Sequence, residues 1–91
     1  MNTLCRWQSI IGYWVEKTVP TSNHLKKLQE EVEELVNSPK DPEEMADVFI
    51  ALLAHAHKYN INIELAVSNK FDKMQTRVYS EPDDNSVSHH V

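Results

Sequence analysis

Four segments of the chain repeat apolar side chains at three- and four-residue spacing, the period of an amphipathic helix. In the first, over residues 3–19, Leu4, Trp7, Ile10, Ile11, Trp14 and Val15 recur until Pro20 ends the run. Thr21, Ser22 and Asn23 offer N-cap side chains for a second helix reaching Asn37, with Leu25, Leu28, Val32, Leu35 and Val36 as its apolar stripe. A break holding Pro39 then leads to Asp41 as N-cap, Pro42 at the first helical position and Glu44 three residues after the cap, a standard helix start. The third helix carries Met45, Val48, Phe49, Leu52, Leu53 and Ala56, a face dense enough to require burial. Asn62 caps a fourth helix over residues 63–79, through Leu65, Ala66, Val67, Phe71, Met74 and Val78. With no alternating β pattern and a single glycine, Gly12, the chain is predicted to be an all-α four-helix bundle. Residues 1–79 make one helical domain, and residues 80–91, which lack apolar periodicity, are expected to be a flexible tail.

Size changes the picture first. A 91-residue domain buries a smaller fraction of its surface than a larger one, so a second copy is expected to complete the core, as a homodimer or a dimer of dimers. The net charge of -5, from 14 acidic and 9 basic residues, argues against a nucleic-acid-binding surface. No apolar run approaches the ~20 residues that span a bilayer, so no membrane partner is expected. Cys5, the single cysteine, has no internal partner, and the N-terminus lacks the layout of a secretion signal; a reducing cytoplasm is the expected location.

Candidate chemistry is concentrated in two acidic clusters, Glu30-Glu31-Val32-Glu33-Glu34 and Glu44-Met45-Ala46-Asp47. On helices, Glu31 and Glu34 share a face, as do Glu44 and Asp47. Two antiparallel helices would thus aim four carboxylates at one spot, where mutual repulsion calls for solvent or a hard divalent cation. An ordinary solvated face, with Lys26 paired to Glu30 and Lys27 to Glu31, is the alternative, and Glu44 has a competing use as a capping-box residue. Asp47 favours a site: aspartate is a weak helix former whose carboxylate, at the edge of a buried stripe, needs a partner. Carboxylates without a cysteine or histidine cluster suit a hard divalent cation rather than zinc, and His55 and His57 lie too far along the third helix to join them.

On the fourth helix Asn69, Lys70, Lys73 and Arg77 form a polar, mainly basic strip, either a phosphate-binding surface or a solvated face balanced by Glu64 and Asp72. Trp7, Tyr13 and Trp14 have area enough to stack on a heterocyclic base, though aromatics on an amphipathic helix more often pack in a core or subunit interface. Gly12 suits close helix approach.

The order Glu-Glu-x-x-Glu at 30 to 34, Glu-x-x-Asp at 44 to 47 and a basic helix from Lys70 to Arg77 resembles the all-α nucleoside triphosphate pyrophosphohydrolases of the MazG-like type, over roughly residues 21–79. Lys-Leu-Gln-Glu-Glu-Val-Glu-Glu-Leu and Asp-Pro-Glu-Glu-Met-Ala-Asp-Val look most like the short dATP/dGTP pyrophosphohydrolases of phages and bacteria. The resemblance implies that Glu31, Glu34, Glu44 and Asp47 ligate Mg2+ or Mn2+, two or more ions per site, and that Glu30 helps to position the attacking water or a further ion, with Glu30 and Glu31 the candidate catalytic residues. Lys70, Lys73 and Arg77, with Asn69, would hold the triphosphate, and Trp7 and Trp14 the base. Met74 stands where several relatives have asparagine. The implied reaction splits a (d)NTP between the α and β phosphates. A dCTP/dUTP-type or broad house-cleaning pyrophosphatase, and a non-catalytic helical interaction or nucleotide-binding module, are the alternatives.

Overall fold

Helices α2 (His24–Asn37) and α3 (Pro42–Lys58) form a hairpin, and α1 (Leu4–Thr18) lies along the other side of α3. The computed structural model describes residues 3–19 and 23–80, the side chains of residues 78–80 excepted, and all regular structure among them is helical. Each helix starts where a side-chain cap satisfies an otherwise orphaned N–H. Thr3 Oγ1 accepts from the Arg6 N–H at 3.2 Å, Asn23 Oδ1 from Lys26 at 3.1 Å, Asp41 Oδ1 from Glu43 at 2.9 Å and Asn62 Oδ1 from Leu65 at 3.0 Å. The alternative caps Thr21 and Ser22, the stop at Pro20 and the expected tail beyond residue 80 lie outside the described residues.

Between α3 and α4 (Ile63–Ser80) the chain reverses through Asn60, whose φ of 55° is left-handed. Asn60 N–H donates to the His57 carbonyl and Ile61 N–H to the Ala56 carbonyl, the double closure of a Schellman end with asparagine in the place glycine usually takes. Gln8 of α1, buried, fastens this turn: its Nε2 donates to the Ile61 carbonyl at 2.6 Å and its Oε1 accepts from the Ile63 N–H at 3.2 Å.

The core is smaller than the apolar pattern suggests. Leu53, 1% exposed, is surrounded along α3 by buried Ala51, Ala54 and Ala56, small side chains that let α1 and α2 approach α3 from two sides. Met45 and Phe49, expected in the core, are exposed, while Val48 and Leu52 are half-buried. On α2 the packed positions are His24, Leu28, Glu31 and Leu35, and the rest of the predicted stripe, Leu25, Val32 and Val36, is exposed, Val36 to 70%. The helix is rolled by about one residue from its hydrophobic stripe, which turns the side that carries Glu31 inward. Where α1 crosses α3, Gly12 is buried against the His57 ring, which a Cβ at that position would overlap. His57 Nε2 and Glu16 Oε1 join the same helices at 3.0 Å.

α4 rests chiefly on α1, where Glu64 Oε1 accepts from the Cys5 N–H at 3.1 Å. Beyond that contact Leu65, Val67 and Phe71 are exposed, Phe71 to 56%.

Candidate functional site

The roll of α2 delivers a carboxylate to the helix interface. Glu31 is 5% exposed, and one oxygen each of Glu31, Glu44 and Asp47 lie within 4.8 Å of one another. Opposite oxygens around a single magnesium ion are about 4.2 Å apart, so small rotations would close this set on one ion. Glu34, exposed and one turn beyond Glu31, lies against it but is not one of these three. Among the described residues this is the grouping of acidic, histidine or cysteine side chains with metal-site spacing.

The alternative uses of these acids can now be judged. Glu44 does not serve the capping box: the Asp41 N–H donates instead to the Ser38 carbonyl at 3.1 Å. Glu44 Oε2 is buried with no hydrogen-bond partner, a costly arrangement for a carboxylate unless something positive meets it. Of the two expected helix pairs, Lys27–Glu31 forms at 3.0 Å, with Lys27 largely exposed and Glu31 buried; no Lys26–Glu30 pair forms among the described residues.

Crowding of like charge is visible in the protonation equilibria. The carboxyl of Glu34 is held above its ordinary pKa first by the charge of Glu31, then by desolvation, a hydrogen-bonding contact with Glu31 and the charge of Asp47, with Lys27 opposing. Glu44 is raised first by desolvation, then by Glu34, Asp47, Asp41 and Glu31. Lys27 is raised by its hydrogen bond and charge interaction with Glu31. Hard oxygen donors, an orphaned buried carboxylate oxygen and mutual repulsion together fit a hard divalent cation.

Beside the acids, α1, α2 and α3 border an open-sided cavity of about 310 Å3, lined by Glu31, Asp47 and Lys27 together with Trp14, Val15, Val19, His24, Ile50, Ala51 and Ala54. Of the aromatics expected to reach a ligand, Trp14 lines this cavity and Trp7 does not; Tyr13 sits under the Lys17 ammonium, 4.8 Å from its ring centre. Glu30 is exposed on the flank of α2, outside the group of three. Asn69, Lys70 and Lys73 are exposed and Arg77 half-buried on α4, and none lines the cavity; Lys70 borders a shallow groove with Ile63, Ala66, Val67, Phe71 and Met74. His55 packs on Tyr59 and His57 on Glu16, both away from the acids.

Two polar residues of the cavity had no part in the sequence-based site. Lys27 was assigned only to a helix pair, and His24 to nothing. Their spacing from Glu31, four and seven residues, places all three on one face of α2 and was readable, but that this face looks into a cavity depends on α1.

A family model described as dATP/dGTP pyrophosphohydrolase matches residues 7–91 of the chain, extending the resemblance across α1 and the C-terminal segment. No curated protein and no solved structure gives a significant match.

Proposed function

The chain belongs to the dATP/dGTP pyrophosphohydrolase family, and on that premise we propose that it works with magnesium or manganese held between α2 and α3, as a cytoplasmic homodimer or dimer of dimers. Its reaction consumes water and a purine deoxynucleoside triphosphate and yields the monophosphate and pyrophosphate. The observation that carries the metal requirement is the buried, unpartnered Glu44 Oε2 within a group of three carboxylates.

Glu31 and Glu34 from α2, with Glu44 and Asp47 from α3, hold the ions. Magnesium or manganese, two or more ions when bound, supplies neutralisation of triphosphate charge and a water more acidic than bulk water. Glu30, on the solvent flank, orients the attacking water together with Glu31. Lys27 lies at the junction of the acids and the cavity, where a triphosphate entering the site offers its ammonium a second anion. The apolar length of the cavity, of the size that holds small ligands, takes the nucleoside, with Trp14 offering a face for the base.

Asn69, Lys70, Lys73 and Arg77 are proposed to complete triphosphate binding in the assembled protein. They stand on a helix that packs chiefly on α1 rather than on the acid-bearing hairpin, and exposed Leu65, Val67 and Phe71 on the same helix give a second copy an apolar face to cover. No helix among the described residues is long and apolar enough to cross a membrane.

Pyrophosphate release from every common ribo- and deoxyribonucleoside triphosphate, with magnesium, manganese or chelator, tests the proposal. The expected outcome is highest kcat/KM for dATP and dGTP and none with chelator. Turnover that survives chelation refutes the metal assignment, and dCTP or dTTP as best substrate refutes the purine one.

A further inference from the structure

The acid cluster fixes one end of the bound nucleotide, and the geometry of α2 says what meets the other. His24, Lys27 and Glu31 line the same cavity at spacings of three and four, so His24 lies about 10.5 Å from Glu31 along the helix axis. On α3 the floor from Asp47 through Ile50 and Ala51 to Ala54 runs the same seven residues and is apolar after its first member. A nucleotide whose α-phosphate lies at the acids therefore carries its base toward the His24 end. Beyond Lys27, the polar side-chain groups of the lining are the Trp14 indole and the half-buried His24 imidazole. A second pocket of about 180 Å3 shares Val15, Val19, His24 and Ala54 with the first and is lined also by Gly12, Glu16, His57 and Lys58. His24 thus borders both pockets.

Adenine and guanine present opposed groups on their six-membered rings, an amino donor in one and a carbonyl acceptor in the other, so a residue reading that edge would separate them. Their five-membered rings share the acceptor N7, which pyrimidines lack. An enzyme that takes both purines is served by a single donor placed at N7. We propose that His24 is the purine-selecting residue of this site, donating its ring N–H to N7 of dATP or dGTP; this rests on the pyrophosphohydrolase activity assigned to the cavity above.

The surroundings suit that task. Desolvation first, then the charge of Lys58 and the nearby His55, hold His24 below its ordinary pKa. The ring is accordingly neutral at physiological pH, with an N–H on one nitrogen and no charge carried into the cavity. Trp14, Val15 and Val19 on the α1 side would hold the base in plane with it.

The test replaces one atom of the substrate. In 7-deaza-dATP and 7-deaza-dGTP the N7 acceptor is a C–H, while ring size, sugar and triphosphate are unchanged. Wild-type protein is expected to hydrolyse each analogue with about tenfold lower kcat/KM than the parent nucleotide, the worth of about 1.4 kcal/mol. His24→Phe, which keeps a ring but no donor, should treat parent and analogue alike, and His24→Gln, which restores an N–H, should recover part of the difference. Calorimetric binding of the products dAMP and 7-deaza-dAMP gives the same comparison without turnover. Equal treatment of N7 and C7 substrates by wild type, with pyrophosphate still released, overturns the role of His24 and leaves the reaction standing, the purines then being chosen by size alone. Undiminished discrimination in a folded His24→Phe protein assigns the donor elsewhere and also overturns it. Failure of wild type to release pyrophosphate from any triphosphate removes the reaction itself, and the role of His24 with it.

Discussion

At the scale of single residues, Glu44 concentrates the physics of the site. Its unpartnered oxygen and raised pKa both say that the folded protein disfavours the charged carboxyl when no cation is present. The sign of the pH dependence follows. A carboxyl raised in the folded state is harmless below its unfolded pKa, near 4.5, and costs stability as pH rises from there through the raised folded value. Glu44→Gln is therefore expected to melt at a higher temperature than wild type at pH 7 in chelator, with the gap closing as the pH falls below about 4.5. Magnesium should stabilise wild type and add little to the variant. Activity should fall by a hundredfold or more, given that loss of groups merely supporting metal ligands costs about 10- to 100-fold. Melts across pH, with and without magnesium, check the first two outcomes. Equal magnesium stabilisation of both proteins would mean that Glu44 is not a ligand.

At the scale of the helices, α1 matters because it closes the cavity, and Gly12 sets how near it comes to α3. Alanine is a better helix former than glycine by about 1 kcal/mol, so an exposed Gly→Ala change would stabilise. Here the added methyl runs into the His57 ring, and overpacking costs about 1 to 3 kcal/mol. Gly12→Ala is expected to be net destabilising and to weaken the Glu16–His57 pair. In a double-mutant cycle, adding His57→Ala should remove the clash and recover stability. Gln8 offers a second check at this scale. Gln8→Leu leaves the Ile61 carbonyl and the Ile63 N–H without their side-chain partners, at about 1 to 3 kcal/mol if they stay dry. Hydrogen exchange should accelerate at the start of α4 before it does in the α2–α3 hairpin.

For the whole molecule, the exposed apolar side chains on α4 and on the outer sides of α2 and α3 are more than a lone chain of this size is expected to leave uncovered. Sedimentation at micromolar concentration should find a dimer or tetramer. Phe71→Glu, which places a charge in the groove beside Ile63, Ala66 and Met74, should shift the protein toward monomer and lower activity, since the basic strip of α4 is proposed to act in the assembled state. A fully active wild-type monomer would sink that assembly.

The sequence by itself determined what depends on neighbours a few residues apart. Asn23, Asp41 and Asn62 cap the helices as their side-chain chemistry predicts, and the i,i+3 spacing of Glu31 with Glu34 and of Glu44 with Asp47 survives any arrangement of the helices, because a helix carries its own geometry. The motif order also identified the family over residues 21–79. What the tertiary structure decided is which side of each helix turned inward. Leu25, Val32, Val36, Met45 and Phe49 remained outside while Glu31 and three alanines of α3 went in, since close approach of three helices rewards small side chains and the rolled α2 brings Glu31 to Glu44 and Asp47. That Glu44 does not serve as a cap was decided by a backbone contact, Asp41 to Ser38, that no side-chain pattern encodes. The cavity, with Trp14 and His24 chosen over Trp7, exists only because Gly12 and Gln8 fix α1 against α3 and the turn that follows it. Such contacts join residues some forty to fifty-five positions apart, and periodicity carries no information over that distance.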